Sequence, residues 1–229
     1  KGHTDIICVD VDENQGNHPN LQKRTFKNYV SKDNLIEYMN KDPESITAII
    51  HMGACSRTTE TNREYIMETN LEYSQKLFQW CAKHQKRFIY ASSAATYGDG
   101  ANGYDDNFDS NQLTPLNLYG ESKVLFDRWA LQQTETPPHW AGLKFFNVYG
   151  PQEYHKEDMA SVVFKASNEI ASTRELRLFK SHNPQFKNGE QMRDFVYVKD
   201  ITSWMYTLLT HSPLTGLFNM GSGTARTWV

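Results

Sequence analysis

Short apolar runs alternate with amphipathic stretches along most of the chain. Ile6-Ile7-Cys8-Val9, closed by Asp10, reads as a strand, and so do Ala48-Ile49-Ile50-His51, Phe88-Ile89-Tyr90-Ala91 and Ala141 to Phe146. Helical patterns lie between them. One covers residues 31–39, with Ser31 as N-cap and Leu35, Ile36 and Met39 as the buried stripe. A longer one runs over 62–85, with Tyr65, Ile66, Leu71, Leu77, Phe78 and Cys81 at helical spacing, and a third starts near Leu118 and carries Val124, Leu125, Phe126 and Trp129. Asn147-Val148-Tyr149-Gly150-Pro151 breaks the strand before it. Beyond that break the pattern predicts a helix over 159–171, short strands at 176–179 and 194–198, a helix over 200–210, and a strand-like exit at Gly216-Leu217-Phe218-Asn219.

This order predicts an α/β fold of Rossmann type, a doubly wound parallel sheet with helices on both faces. Residues 1–150 form the dinucleotide-binding part; residues 151–229, less regular, form a mixed region with part of a smaller C-terminal substrate lobe. The chain opens on Lys1-Gly2-His3-Thr4 and closes on Trp228-Val229 just after a Gly-rich turn. The first strand and the Gly-rich phosphate loop of such a fold are absent from the sequence. The expectation is a chain cut at both ends, with roughly 20 residues before Lys1 and several tens after Val229.

Composition narrows the class mainly by exclusion. Twenty-four basic and 27 acidic residues give a net charge of -3, with no basic run, so no nucleic-acid partner is expected. No apolar run approaches the roughly 18 residues of a membrane span, and no signal peptide opens the chain, which predicts a soluble, cytoplasmic protein. Cys8, Cys55 and Cys81 are odd in number and widely spaced, a pattern of unpaired thiols with no metal site.

Parallel sheets of this kind bind ligands at the carboxyl ends of their strands. At the first such end stands Asp10, which alone reads first as a turn residue and second as a ligand of a ribose hydroxyl. His51-Met52-Gly53-Ala54-Cys55-Ser56 ends the next strand, and its small residues allow close approach of a flat ligand. Strand 88–91 runs into Ser92-Ser93-Ala94-Ala95-Thr96-Tyr97-Gly98, and Tyr119-Gly120-Glu121-Ser122-Lys123 opens a later helix. Tyr119 and Lys123, at i and i+4, share a helical face. An ammonium beside the phenol is expected to pull its pKa down from about 10 and make Tyr119 an acid or base near neutral pH. Ser93 can hydrogen-bond the same substrate oxygen. A Tyr-x-x-x-Lys pair alone is commonplace; its place after a strand-terminal Ser gives it weight.

Ser93, Tyr119 and Lys123, with Tyr97-Gly98 and Asn147-Val148-Tyr149-Gly150-Pro151, resemble the extended short-chain dehydrogenase/reductase family of sugar-nucleotide enzymes. The blocks His51 to Ser56 with Thr58-Thr59-Glu60, Tyr90 to Gly98, His155-Lys156 with Met159-Ala160-Ser161-Val162, and Arg193-Asp194-Phe195-Val196-Tyr197-Val198 are similar, more narrowly, to its ADP-heptose 6-epimerase branch. The resemblance implies epimerisation at C6'' of an ADP-heptose by oxidation and re-reduction with bound NADP (NAD being the alternative), in supply of lipopolysaccharide heptose. It also implies a homo-oligomer, a pentamer in that branch. Tyr119 and Lys156 would be the two acid/base groups, with Ser93 and Lys123 completing the catalytic set. Asp10, Lys32 or Lys23, Met52, Gly53, Ala54, Cys55, Ser56, Thr69, Tyr119, Lys123, Val148 and Lys156 would hold the cofactor. Ser93, Asn147, Asp158, Lys165, Phe179, Lys180, Ser181, His182 and Arg193 would meet the substrate, Arg193 suiting a diphosphate or, alternatively, pairing with Asp194. Asp158 and Lys165 stand where that branch has a serine and a histidine, and Val11 with the loop 12–23 departs from its pattern.

Of three other readings, the first is opposed by its own residues and the other two stay open. A nucleotide-sugar dehydratase would need an Asp-Glu pair where this chain has Ala94 and Ala95. A UDP-sugar 4-epimerase shares Ser, Tyr and Lys without needing Lys156. A non-catalytic cofactor-binding protein would typically have lost Tyr119 or Lys123; both are present.

Overall fold

The structure is a computed structural model that describes residues 3, 5–11, 18–178, 180–182, 184, 187–211 and 213–228. Among them, four parallel strands form the central sheet in the order β3 (Ala48–His51), β4 (Arg87–Ser93), β5 (Trp140–Phe145), β8 (Gly216–Met220). A separate parallel pair holds β1 (Ile7–Asp10) and β2 (Asn28–Ser31). A third, smaller sheet joins β6 (Asn147–Tyr149) in parallel to β7 (Arg193–Tyr197), which pairs antiparallel with β9 (Ala225–Arg226). Among the described residues no ladder connects β1 to β3.

The alternation of side chains along β4 shows why the sheet is covered twice. Phe88 and Tyr90 point into one cluster with Leu77, Phe78, Phe126 and Trp140, while Ile89 points into another with Leu143, Val196, Ile201 and Met220. Helices α1 (Leu35–Lys41), α3 (Tyr73–Lys83) and α4 (Leu118–Leu131) supply the first face, and α6 (Val198–His211) supplies the second. Phe78 is wholly buried and meets Phe88, Phe126, Trp129 and Trp140 edge to face. Each such pair adds ~0.5–1.5 kcal/mol beyond area burial.

Several local readings need correction. Ser31 ends strand β2 rather than simply capping a helix, and its side chain makes no cap bond. The helical stripe of Leu35 and Met39 is buried as read, but Tyr65 is exposed. Residues 176–178 form no strand. Asn147–Tyr149, read as a break, is a strand whose backbone pairs with β7 before Gly150 turns it. The helix read over 159–171 is α5 (Val162–Thr173), begun by Ser161, whose hydroxyl accepts from Phe164 N–H at 3.1 Å. No helix of the described residues is long and apolar enough to cross a membrane.

Candidate active site

Strand β4 delivers Ser93 at the carboxyl end of the sheet, where the chain turns into a 3-10 helix, Ala94–Tyr97. Ser93 Oγ accepts from Ala95 N–H at 3.1 Å, and Thr96 Oγ1 donates to Ser93 O at 2.8 Å. Helix α4 starts opposite, capped by Asn117, whose side chain accepts from Gly120 N–H at 2.8 Å. Gly120 allows the approach: a Cβ there would lie 2.8 Å from Ala95 O. The contact brings the Tyr119 phenol into hydrogen bond with Ser93. One turn on, Lys123 lies with its Nζ 5.8 Å from the Tyr119 ring centroid and donates to Ala91 O at 2.8 Å. Ser93, Tyr119 and Lys123 therefore form one constellation.

Its electrostatics differ from the sequence expectation. The Tyr119 pKa is raised, because burial outweighs the lowering by the Ser93 hydrogen bond, and Asp127 and Cys55 push it further up. Lys123 does not bring the phenol down: its own ammonium is buried, and desolvation, opposed by Asp127, lowers it to about 8. In this site Tyr119 holds its proton at neutral pH.

Beneath the constellation lies a polar network that the apolar pattern does not announce. Asp127 on α4 and Lys144 on β5 pair at 2.7 Å with both side chains essentially inaccessible. The Asp127 carboxylate also accepts from Tyr90 OH at 2.9 Å and Ser92 Oγ at 2.8 Å, and Lys144 donates to Thr96 Oγ1 at 2.9 Å. The ion pair thus braces the turn after Ser93 from below. Asn70 is the second hidden residue. It sits in a π-helical turn, Glu68–Glu72, between α2 (Arg63–Met67) and α3. Its Oδ1 accepts from Cys55 N–H at 2.8 Å, and its Nδ2 donates to Cys55 O and Ser122 Oγ, each at 3.0 Å. One amide thereby pins the loop 52–56 to the helix bearing Tyr119. A signal for both existed: Asn70 and Ser74 share a helical stripe with Ile66 and Leu77, and Asp127 shares one with Val124 and Ala130.

That loop suits a flat cofactor. Met52, Gly53 and Ser56 are exposed, Ala54 and Cys55 half-buried, and a Cβ on Gly53 would meet nothing closer than His51 Cε1 at 4.0 Å. Protein packing therefore does not demand glycine there, and the space in front is open. Lys123, 5% exposed, has a single described acceptor for its three N–H bonds, which leaves donors for a ribose. Thr69 is half-buried next to Asn70, and Val148 lies on β6 beside Val196. On the separate pair, Asp10 and Ser31 are in register, so Asp10 and Lys32 stand at adjacent strand ends. Asp10 is exposed and its Oδ1 accepts from Val11 N–H at 2.7 Å, the turn role first read for it.

The remaining candidates make their described hydrogen bonds outside this constellation. Lys156 is exposed on the loop following β6. Asn147 donates to Asp194 O at 3.1 Å. Lys165 donates to Asp158 O at 2.5 Å, so these two candidates meet each other. Ser181 N–H is held by Asn188 Oδ1 at 2.8 Å, and Lys180 and His182 are exposed. Phe179 lies outside the described residues. Arg193 is exposed and donates to Met192 O at 2.7 Å, whereas Asp194 accepts from Ser222 and Gly223 N–H, each at 2.9 Å. The alternative reading of Arg193 as a partner of Asp194 is thus not the arrangement found.

A parallel sheet ending in a Ser-Tyr-Lys constellation and an open small-residue loop defines a nicotinamide-dependent enzyme, and the chain belongs to the NAD dependent epimerase/dehydratase family, whose sequence model matches residues 1–221. Its relatives narrow this further. It is 46% identical over 233 residues to the ADP-L-glycero-D-manno-heptose-6-epimerase of Fusobacterium nucleatum, covering 100% of this chain and 70% of that one. It is 47% identical over 230 residues to the enzyme of that name from Nitratidesulfovibrio vulgaris, covering 99% of this chain and 71% of that one. The crystal structure of the Helicobacter pylori ADP-L-glycero-D-manno-heptose-6-epimerase superposes with a TM-score of 0.79 at 29% identity, over 98% of this chain and 70% of that one.

Proposed function

We propose that the protein converts ADP-D-glycero-D-manno-heptose to its L-glycero epimer by oxidising and re-reducing C6''. The observation that carries this reading is the Ser93–Tyr119–Lys123 constellation at the end of β4, followed by Ala94 and Ala95 where dehydration would need carboxyl groups. A bound oxidised nicotinamide would supply the hydride chemistry at C6'', and its positive charge, added to that of Lys123, would favour the phenolate over the phenol found in the protein alone. Tyr119 would then take the proton of the C6'' hydroxyl on oxidation and give it back on re-reduction, with Ser93 sharing that oxygen. Lys123 would hold the cofactor ribose. Between the two transfers the C6'' carbonyl turns its other face, and Lys156 handles the proton on that side. The loop 52–56, with Thr69 and Val148, lines the cofactor seat. Asp10 would bond the adenosine ribose, and Lys32, one strand end away, would favour NADP over NAD through a 2'-phosphate.

Asn147, Asp158, Lys165, Lys180, Ser181, His182 and Arg193 would line the substrate side, Arg193 addressing the diphosphate. An apolar groove of about 370 Å³, walled by α5, Phe195 and Trp228, offers flat surfaces to the nucleotide half. On this reading the protein is a cytoplasmic homo-oligomer, a pentamer, that supplies heptose for lipopolysaccharide; residues 1–150 bind the cofactor and the region from 151 on meets the substrate. The test is to incubate the holoenzyme with ADP-D-glycero-D-manno-heptose, without added cofactor, and to follow the C6'' configuration by NMR. A mixture of both epimers is expected. No conversion by protein shown to carry its cofactor would overturn the assignment; turnover of a UDP-hexose in its place would identify a 4-epimerase.

A further inference from the structure

Glu153 is a carboxylate to which neither the sequence motifs nor the reaction assigns a role. It is 5% exposed, and among the described residues no cation lies within ion-pair distance of it. Its two oxygens accept three donors from the two ends of one loop. Oε1 takes Gly150 N–H at 3.0 Å and the Ser161 hydroxyl at 2.8 Å, and Oε2 takes Ser161 N–H at 2.7 Å. Ser161 in turn begins α5. One side chain therefore ties the exit of β6 to the entry of α5 and closes residues 150–161 into a loop.

What lies inside that loop is not relaxed. Gln152 and Glu157 have φ of 75° and 46°, a left-handed conformation that side chains other than glycine rarely adopt. Such residues persist where their surroundings over-determine them. At the loop mouth, Gly150 presses against α6, where a Cβ would come within 2.4 Å of Val198 Cγ1. Lys156 sits between the two strained positions. Its N–H donates to Glu153 O at 3.0 Å, and its carbonyl accepts from Met159 N–H at 2.8 Å. Glu153 thus fixes the backbone of Lys156 directly through its carbonyl and the loop around it through its carboxylate.

We infer that Glu153 is a positioning residue for the epimerisation: its buried carboxylate staple holds the loop 150–161 in the conformation that presents Lys156 to the substrate. The inference rests on the reading of Lys156 as the second acid/base group. The staple requires a carboxylate. A glutamine has one acceptor oxygen, and its amide would direct N–H bonds at the N–H of Gly150 or Ser161. The ionised form is the one present at neutral pH: burial opposes the charge, but the donors of Ser161 and Gly150 and the Lys156 charge outweigh it and hold the carboxyl below its usual range.

The experiment is a double-mutant cycle in the holoenzyme, comparing wild type, Glu153→Gln, Lys156→Met and the double variant, with cofactor content and thermal midpoint measured alongside. Misplacing a reacting group by an ångström costs up to ~100-fold, so Glu153→Gln is expected to lower kcat ~10–100-fold with little change in KM. In the Lys156→Met background it should add less than about 2-fold, because residues acting through one another are not additive. Wild-type kcat in Glu153→Gln, or an undiminished loss in the Lys156→Met background, would overturn the positioning role. Wild-type kcat in Lys156→Met would instead overturn the reading of Lys156, and the inference with it. Should Glu153→Gln not fold, Ser161→Ala removes one donor to the carboxylate and is judged in the same cycle by the same two criteria.

Discussion

The two sides on which the substrate would be handled are built in opposite ways. The Tyr119 side is set in the core: Ser93, Tyr119 and Lys123 rest on a buried ion pair, a wholly buried aromatic cluster and the Asn70 clamp. The Lys156 side is an exposed loop carrying two left-handed residues, closed by one carboxylate. On the first side several buried contacts converge on the same three residues. On the second the geometry depends on few bonds. On the proposed reading, the first side would hold its proton through many buried contacts, and the second would present Lys156 from an exposed loop whose conformation hangs on the Glu153 carboxylate.

The sharpest way to separate the two sides is to remove the chemistry of the first. Tyr119→Phe should lower kcat by ~10²–10⁴-fold while the protein keeps its cofactor, since proton transfer is lost and the fold is not touched; single-turnover kinetics and a cofactor spectrum check it. A smaller but still large effect is expected from breaking the support. Lys144→Met leaves Asp127 charged and unpaired in the core, which should cost ~3–5 kcal/mol of stability by denaturant titration. If the loss were under about 1 kcal/mol, the ion pair would not be what braces the Ser93 turn.

The effect that is smallest near neutral pH, and grows only in acid, concerns His51. His51, at the end of β3, donates to or accepts from Ser74 Oγ at 2.9 Å, and burial, with the Lys123 charge, lowers its pKa from 6.5 to about 3. The folded state therefore binds fewer protons than the unfolded state between those values. The stability associated with neutral His51 is full above pH 6.5 and falls as the pH drops toward 3, by ~1.4 kcal/mol per pH unit at most. His51→Gln should flatten the acid limb of stability by one proton. An unchanged slope would place the acid sensitivity elsewhere.

The elements that define the fold were legible because their residues alternate in the expected way. Strands β1, β3, β4 and β5 are apolar runs, and α3 and α4 carry clear stripes. Strand β2 was not: of Asn28, Tyr29, Val30 and Ser31 only Val30 is buried, so its pairing with β1 leaves little trace in hydropathy. Strand β6 was masked by the Gly150-Pro151 turn that follows. The catalytic constellation was readable as residue types at a spacing, but its electrostatics were not, since burial, which no spacing reports, raises the Tyr119 pKa. Asn70 and Asp127 stand on buried helical stripes that could have been read, whereas Lys144 and Glu153 could not: polar residues in strands and loops read as solvated, and only tertiary contact shows these two buried.

The π-helical turn at Glu68–Glu72 has a consequence for how this helix can vary. A π turn closes its hydrogen bonds one residue further along than an α turn, so it takes up one extra residue while the two halves of the rod stay in phase. Deleting a single residue there would leave a continuous α-helix with Ile66 and Leu77 still on the buried side. What would move is the backbone around Asn70, and with it the amide that holds both Cys55 N–H and Cys55 O. Length can drift at this turn at little cost to the fold, and the cost falls on the loop that the turn serves.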